Sequence, residues 1–255
     1  MTGITAIVLA GSRPGTDPFA EAHGTDLKAL IPVSGVPMVR WPVDALLNSA
    51  AIGRIRVLAQ QPERIAAVLP ADPRLTVEQS GNSIAATLES FCFGPASDWP
   101  LLVTTGDHAL LTPAMVAEFC ARAAGYDLAI GVVERGGLQR RLPQSKRTWI
   151  AFRGGAHSGA NLFMLGGRKV LPALEMWRSV EQDRKKVARL LWVLGPAAFL
   201  GALLRLRTLD QTLGRIGRRL GMSIRAVELS DPLACVDVDK EADLDLAEAL
   251  LRERG

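Results

Sequence analysis

Three widely separated stretches of the sequence carry side chains suited to gripping a polyanion and a divalent cation. The first is IVLAGSRPG (7–15), where an apolar run ends in a turn of small residues. Leu9, Ala10, Gly11, Ser12 and Gly15 let backbone N–H groups come close to a phosphate chain, and Arg13 and Lys28 supply cations to neutralise it. The same turn also suits the plain closure of a strand–helix unit. The second stretch, VTTGDHALLT (103–112), sets Asp107 just past a buried strand. A carboxylate there either takes an oxygen-seeking ion such as magnesium or caps the turn before Pro113. His108 beside it reads as a packing group, or as one that supports a ligand from behind, rather than as a ligand. The third stretch, ACVDVDKEADLDLAEAL (234–250), alternates Asp237 and Asp239 with valines, so that on a strand both carboxylates point to one side. Asp243 and Asp245 fall in the first turns of the following helix, where acids complement the macrodipole without any ligand role.

The first half of the chain supplies a frame for these residues. Short apolar, β-branched runs at 4–10, 54–60, 75–79, 100–107 and 127–133 alternate with helix-like stretches. The helical stretches are 37–50, with Val39, Val43, Leu46 and Leu47 on one face, then 62–69, a turn at 81–83 leading into a helix through Phe91, and 113–124. Strand–helix alternation predicts right-handed crossovers and a doubly wound, mostly parallel sheet. Ligands of such sheets dock outside the carboxyl ends of the strands, which is where all three stretches fall.

After Glu134 the rhythm changes. ERGGLQRRLPQSKR (134–147) reads as a polar loop crowded with Arg135, Arg140, Arg141, Lys146 and Arg147. Two strands, 148–152 and 160–165, follow it. Residues 167–221 read as helical and cationic, 222–229 and 234–238 as strands, and 240–254 as a closing helix.

Hydrophobic residues make up 48% and charged residues 22% of the chain, which excludes disordered and collagen-like classes. Three scattered cysteines, Cys92, Cys120 and Cys235, form no CxxC, so a disulfide framework and a zinc ribbon are both disfavoured and a reducing compartment is expected. The opening MTGITAIVLAG lacks a basic flank and reads as a strand, not a signal peptide. Residues 190–204 form an uncharged run of 15, shorter than the ~20 that a membrane-crossing helix needs, and Gly195, Pro196 and Gly201 interrupt it.

Taken together, the motifs resemble the MobA-like nucleotidyltransferase superfamily, which includes sugar-phosphate nucleotidylyltransferases and CMP-sugar synthetases. The matching residues are Leu9-Ala10-Gly11-Ser12 with Arg13, Lys28 ahead of Gly35-Val36-Pro37-Met38, Gly106-Asp107, and Asp239 with Asp243-Leu244. Ser12 stands where that family usually has a second glycine. The resemblance spans nearly the whole chain, in order. It implies a three-layer α/β/α fold, GT-A-like, that binds a nucleoside triphosphate with Mg2+. A phosphate on a small acceptor, such as a sugar or alcohol phosphate, then attacks the α-phosphorus and releases pyrophosphate. Arg13 and Lys28 would hold the triphosphate, and Asp107 and Asp239, with Asp237 as alternate, the metal. Ser80, Gly81, Asn82 and Ser83 occupy the place where such enzymes contact base or ribose, and they equally suit a helix cap. Asn161 lies on the strand that resembles the acceptor side, and Arg140, Arg141, Lys146 and Arg147 are candidates for gripping the acceptor's phosphate.

The expected organisation is a single domain over 1–255. Its parts are a nucleotide-binding half (1–134), an acceptor-side region (135–166), a cationic helical insertion (167–221) and closing elements (222–255). Between Arg178 and Arg219 there are ten Arg/Lys against three acids, interleaved with apolar residues. Two readings stay open: a helical subdomain over the active site or at a homodimer contact, or a segment (184–205) that lies on an anionic membrane surface and ties the product to envelope or lipid head-group synthesis. The protein is expected in the cytoplasm, in the second reading at the inner membrane face. Nucleic acid is disfavoured as a partner, because the basic residues are not expected to be interleaved with exposed aromatics apart from Trp192 and no recognition module is present. A non-catalytic nucleotide-binding or membrane-associated relative is the alternative function. A GT-A-like glycosyltransferase using Asp237-Val238-Asp239 ranks below it.

Overall fold

The computed structural model describes residues 3–11, 17–81, 84–93, 99–145, 147–181 and 207–254, and its centre is an eight-stranded mixed sheet. In chain order the elements are β1 (Ile4–Leu9), α1 (Pro18–Ala22), β2 (Pro32–Val33), β3 (Val36–Pro37), α2 (Arg40–Leu47), β4 (Ile52–Ala59), α3 (Pro62–Ala66) and β5 (Leu75–Gln79). Next come α4 (Ile84–Phe93), β6 (Leu101–Thr105), α5 (Pro113–Ala123), β7 (Leu128–Glu134), α6 (Arg135–Arg141), β8 (Ile150–Phe152) and β9 (Gly155–Leu165). The described chain closes with α7 (Leu171–Glu181), α8 (Leu209–Leu220), β10 (Ile224–Glu228) and α9 (Glu241–Arg254). The sheet runs β10-β7-β9-β6-β1-β4-β5, with β8 hydrogen-bonded to β9 and β2-β3 forming a separate hairpin.

Side-chain alternation along the strands builds two cores. Ala6 and Val8 of β1 face one side and meet Val43 and Leu46 of α2, Phe119 of α5, and Leu244 and Leu250 of α9. Ile7, between them in sequence, faces the other side with Leu88 of α4, Val103 of β6 and Leu174 of α7. A period of two therefore distributes one strand over both cores and gives the three-layer α/β/α sandwich. Each fully buried large side chain, such as Phe119, contributes roughly 1.5–3 kcal/mol.

The strand order reverses at β1. From β1 the chain winds outward through β4 to β5, then returns to place β6 on the opposite side of β1, parallel to it. The carboxyl ends of β1 and β6 thus flank a topological switch point, the crevice where such sheets bind ligands.

Two local readings of the sequence are corrected. Residues 135–141 form a helix, not a loop: the Glu134 carboxylate accepts the Gly137 N–H, and Leu138 is buried beneath the turn. Residues 234–238 are not a strand. Pro232–Cys235 is a 3₁₀ turn capped by Asp231, and among the described residues the extended segment after it pairs with no strand. The sheet is mostly parallel, but β9 runs antiparallel to both β6 and β7. The 182–206 part of the cationic insertion, which contains 184–205, lies outside the described residues. Among the described residues no helix is long and apolar enough to cross a membrane.

Candidate active site

The switch point is closed by a hydrogen bond between strand ends, in which the Gly106 N–H donates to the Leu9 carbonyl at 2.9 Å. A Cβ at Gly106 would stand 3.3 Å from Ala10 Cα, so the glycine permits this close approach of the two loops. Gly106 hands the chain to Asp107, whose Oδ1 accepts the Thr105 hydroxyl at 2.6 Å.

Lys28 arrives from a different element. It opens a 3₁₀ turn (Lys28–Leu30) set between buried Leu27 and Ile31. That turn is stitched to the β2–β3 hairpin by Met38 N–H to the Ile31 carbonyl (2.9 Å) and Val39 N–H to the Ala29 carbonyl (3.0 Å). The hairpin turns through Ser34 and Gly35, both left-handed at φ 51° and 76°, as a two-residue turn matched to strand twist requires. The Gly-x-Pro-Met motif is thus the bracket that fixes the lysine's backbone.

Asp239 comes from the far end of the chain. The segment before α9 is pinned to the β6 loop by the Val238 N–H, which donates to the Asp107 carbonyl at 3.1 Å. Val236 and Val238 are fully buried, which turns Asp237 and Asp239 outward. Asp243 supports the turn by accepting the Asp239 N–H at 3.3 Å.

The three side chains converge. Lys28 Nζ donates to Asp107 Oδ2 at 2.6 Å and also to Asp239 Oδ1. The lysine and Asp107 side chains are 20% and 21% exposed and Asp239 is 62% exposed, so the cluster is open to solvent on the Asp239 side. Burial by itself would lower the Lys28 pKa, but Asp107 and then Asp239 outweigh it and hold the ammonium above its ordinary value.

Asp237 does not join this cluster. Its carboxylate takes the Arg147 guanidinium on Oδ1 and the Asn161 amide on Oδ2 (3.0 Å), and Arg147 Nη2 also donates to the Asp237 carbonyl at 2.8 Å. Burial pushes the Asp237 carboxyl up, but the Arg147 guanidinium and the Asn161 amide more than offset this and leave it below the usual carboxylate range. Asn161 is left-handed, at φ 48°, at an irregularity in the β7–β9 register. Arg141 pairs with Glu253 of α9, and Arg140 is exposed on α6. Leu9, Ala10 and Gly11 end β1 beside Gln60. Ser80 and Gly81 follow β5 at the same sheet edge, where the Gly81 N–H donates to Thr87 Oγ1 at 2.9 Å. Ser12, Arg13, Gly15, Asn82, Ser83 and Lys146 lie outside the described residues.

Thr105 was not read from the sequence, whereas the packing role expected of His108 is what its burial gives. Thr105, two residues before Asp107, shares its side of the strand end by simple alternation and was available to inspection. His108 is 1% exposed, with Nδ1 3.4 Å from Thr104 Oγ1. Burial lowers its pKa to about 4 against the opposing pull of Asp107 and Asp237, so it is a neutral packing group.

The donor set suits magnesium. Two carboxylates from different elements, Asp107 and Asp239, reach one ammonium nitrogen, and they are the side chains that would hold an oxygen-seeking divalent ion. No group of three or more ligating side chains occurs among the described residues. Two protein carboxylates would leave the other positions to phosphate oxygens and water, which is this ion's habit.

A family model described as a MobA-like NTP transferase domain matches residues 6–220. The bifunctional protein GlmU of Rubrobacter xylanophilus is 32% identical over 135 residues, covering 51% of this chain and 27% of the relative, so the match spans about a quarter of that protein's length. A hypothetical transferase from Thermus thermophilus superposes with a TM-score of 0.79 at 31% identity, covering 95% of this chain and 99% of the other. The 4-diphosphocytidyl-2C-methyl-D-erythritol synthase of Anaerococcus prevotii superposes with a TM-score of 0.61 at 10% identity, covering 98% and 96%, a likeness of fold alone.

Proposed function

We propose a specific reaction for this chain, which belongs to the MobA-like NTP transferase domain family: transfer of a nucleoside monophosphate from an NTP to a small phosphorylated acceptor. An oxygen of the acceptor's phosphate attacks the α-phosphorus, the bond to the bridging oxygen of the β-phosphate breaks, and pyrophosphate leaves. The observation that carries this reading is the convergence of Lys28, Asp107 and Asp239 at the switch point beside the Ala10–Gly11 turn.

Transfer of this kind needs positioning and charge neutralisation more than covalent help from the protein. The Ala10–Gly11 backbone lets the triphosphate approach the end of β1. Lys28 neutralises the phosphates, and the sequence assigns Arg13 the same task. Asp107 and Asp239 would hold magnesium, which would supply charge neutralisation at the phosphate oxygens. Thr105 keeps the Asp107 carboxylate turned toward the cleft. Ser80 and Gly81 are the residues that the family resemblance puts at base or ribose.

Asp237 is proposed as a positioning residue rather than a metal ligand, because its carboxylate is committed to Arg147 and Asn161. Pyrophosphate release from each of the four NTPs, with sugar and alcohol phosphates as acceptors, tests the reading. Release that requires both an NTP and a phosphorylated acceptor is expected. NTP-independent sugar transfer, or no turnover with any pair, counts against it.

A further inference from the structure

We infer that Lys28 is a tethered counter-ion that takes the seat between Asp107 and Asp239 and yields it when a divalent ion arrives. This rests on the reading that Asp107 and Asp239 are the metal-holding carboxylates.

The geometry defines the competition. Asp107 Oδ2 and Asp239 Oδ1 belong to two loops that meet only through the fold, and one ammonium nitrogen binds both. Without a cation between them the two carboxylates would repel at close range. Lys28 is suited to relieve this, because its 3₁₀ turn is fixed by the backbone hydrogen bonds from Met38 and Val39 while its ammonium is carried on a four-carbon stem with several rotatable bonds. A metal bound to the same oxygens leaves no room for the ammonium and repels it. The displaced lysine remains tethered beside the Ala10–Gly11 turn, where a triphosphate supplies new acceptors. Metal entry and lysine release are therefore one exchange. Nucleotide makes that exchange favourable by receiving the lysine, and linkage requires the metal to favour nucleotide equally.

The consequence runs against the simple expectation that removing a site residue weakens every ligand. Lys28→Met should bind Mn2+ alone more tightly than the wild type, on the order of tenfold, because a competing fixed charge is gone. Mn2+ titration without nucleotide, with free ion followed by EPR, reads this directly. Asp107→Asn in the same titration should lose most of the binding. In the wild type, amine labelling of Lys28 by acetic anhydride, read by mass spectrometry, should speed up severalfold on addition of Mn2+ alone. That measurement does not depend on the folding of any variant. Mn2+ affinity in Lys28→Met equal to or below wild type, or Lys28 labelling unchanged by Mn2+, overturns the placeholder role. If either result came with Asp107→Asn still abolishing Mn2+ binding, the metal assignment would survive without it. Mn2+ binding undiminished in Asp107→Asn would remove both.

Discussion

Arg147 grips Asp237 twice, with one guanidinium nitrogen on the carboxylate and the other on the backbone carbonyl. The second contact matters because Asp237 has no strand neighbour, so this clamp and the Val238 bond to the Asp107 carbonyl fix the segment that presents Asp239. Arg147→Met leaves Asp237 largely buried without its cation, and a loss of about 2 kcal/mol in unfolding free energy is expected, between the values for exposed and buried pairs. Asp237→Asn combined with Arg147→Met should cost less than the sum of the single changes, as a double-mutant cycle by urea denaturation will show. Strict additivity would mean that the two side chains act independently.

Asn161 combines a left-handed backbone with an amide bonded to Asp237. Asn161→Ala loses both the tolerance for φ 48° and the hydrogen bond, for an expected cost of about 1–2 kcal/mol. Asn161→Gly restores the backbone and loses only the amide, so its thermal midpoint should lie between wild type and the alanine variant. A glycine variant less stable than the alanine variant would contradict this.

His108 gives the protein an acid-sensitive core. Burial lowers its pKa from 6.5 to about 4, so below pH 6.5 the unfolded chain takes up a proton that the native state refuses. Stability is therefore complete above that pH and is lost as pH falls toward 4. Between pH 7 and 5 this one group accounts for about 2 kcal/mol. Chemical denaturation at the two pH values, compared between wild type and His108→Gln, should show a shallower pH dependence in the variant. Identical slopes would place the acid sensitivity elsewhere.

Much of this arrangement could be read from residue patterns, and the failures have physical causes. β1, β5, β7 and α5 fall where the apolar runs put them: β1, β7 and α5 bury the side chains their periods define, and β5 at the sheet edge half-buries Leu75 and Val77. Gly136-Gly137 made α6 look like a loop, but a glutamate cap and one buried leucine sufficed to form the helix. The valine–aspartate alternation at 236–239 correctly indicated which side chains are buried and misled about pairing, since its hydrogen bond goes to the Asp107 loop. Strand direction is invisible to periodicity, so the reversal at β9 could not be foreseen. The motifs selected Lys28, Asp107 and Asp239, but Lys28 lies 79 and 211 residues from its two partners, and only the fold brings these side chains into contact.

Gly35 tests the bracket behind Lys28. Gly35→Ala places a Cβ on a left-handed residue at φ 76°, and about 1 kcal/mol of destabilisation is expected. Nucleotide affinity should fall with it, because the hairpin sets the lysine's backbone. Loss of stability with unchanged nucleotide binding would separate the hairpin from the site.

The most direct check is the rate of pyrophosphate release with Mg2+, the preferred NTP and its acceptor, compared between wild type and Asp107→Asn. The substitution keeps the shape and removes the charge at the centre of the cluster, so a fall of roughly 10²-fold or more is expected with the melting temperature little changed. A rate within about twofold of wild type would mean that the convergence at the switch point is not where the chemistry takes place.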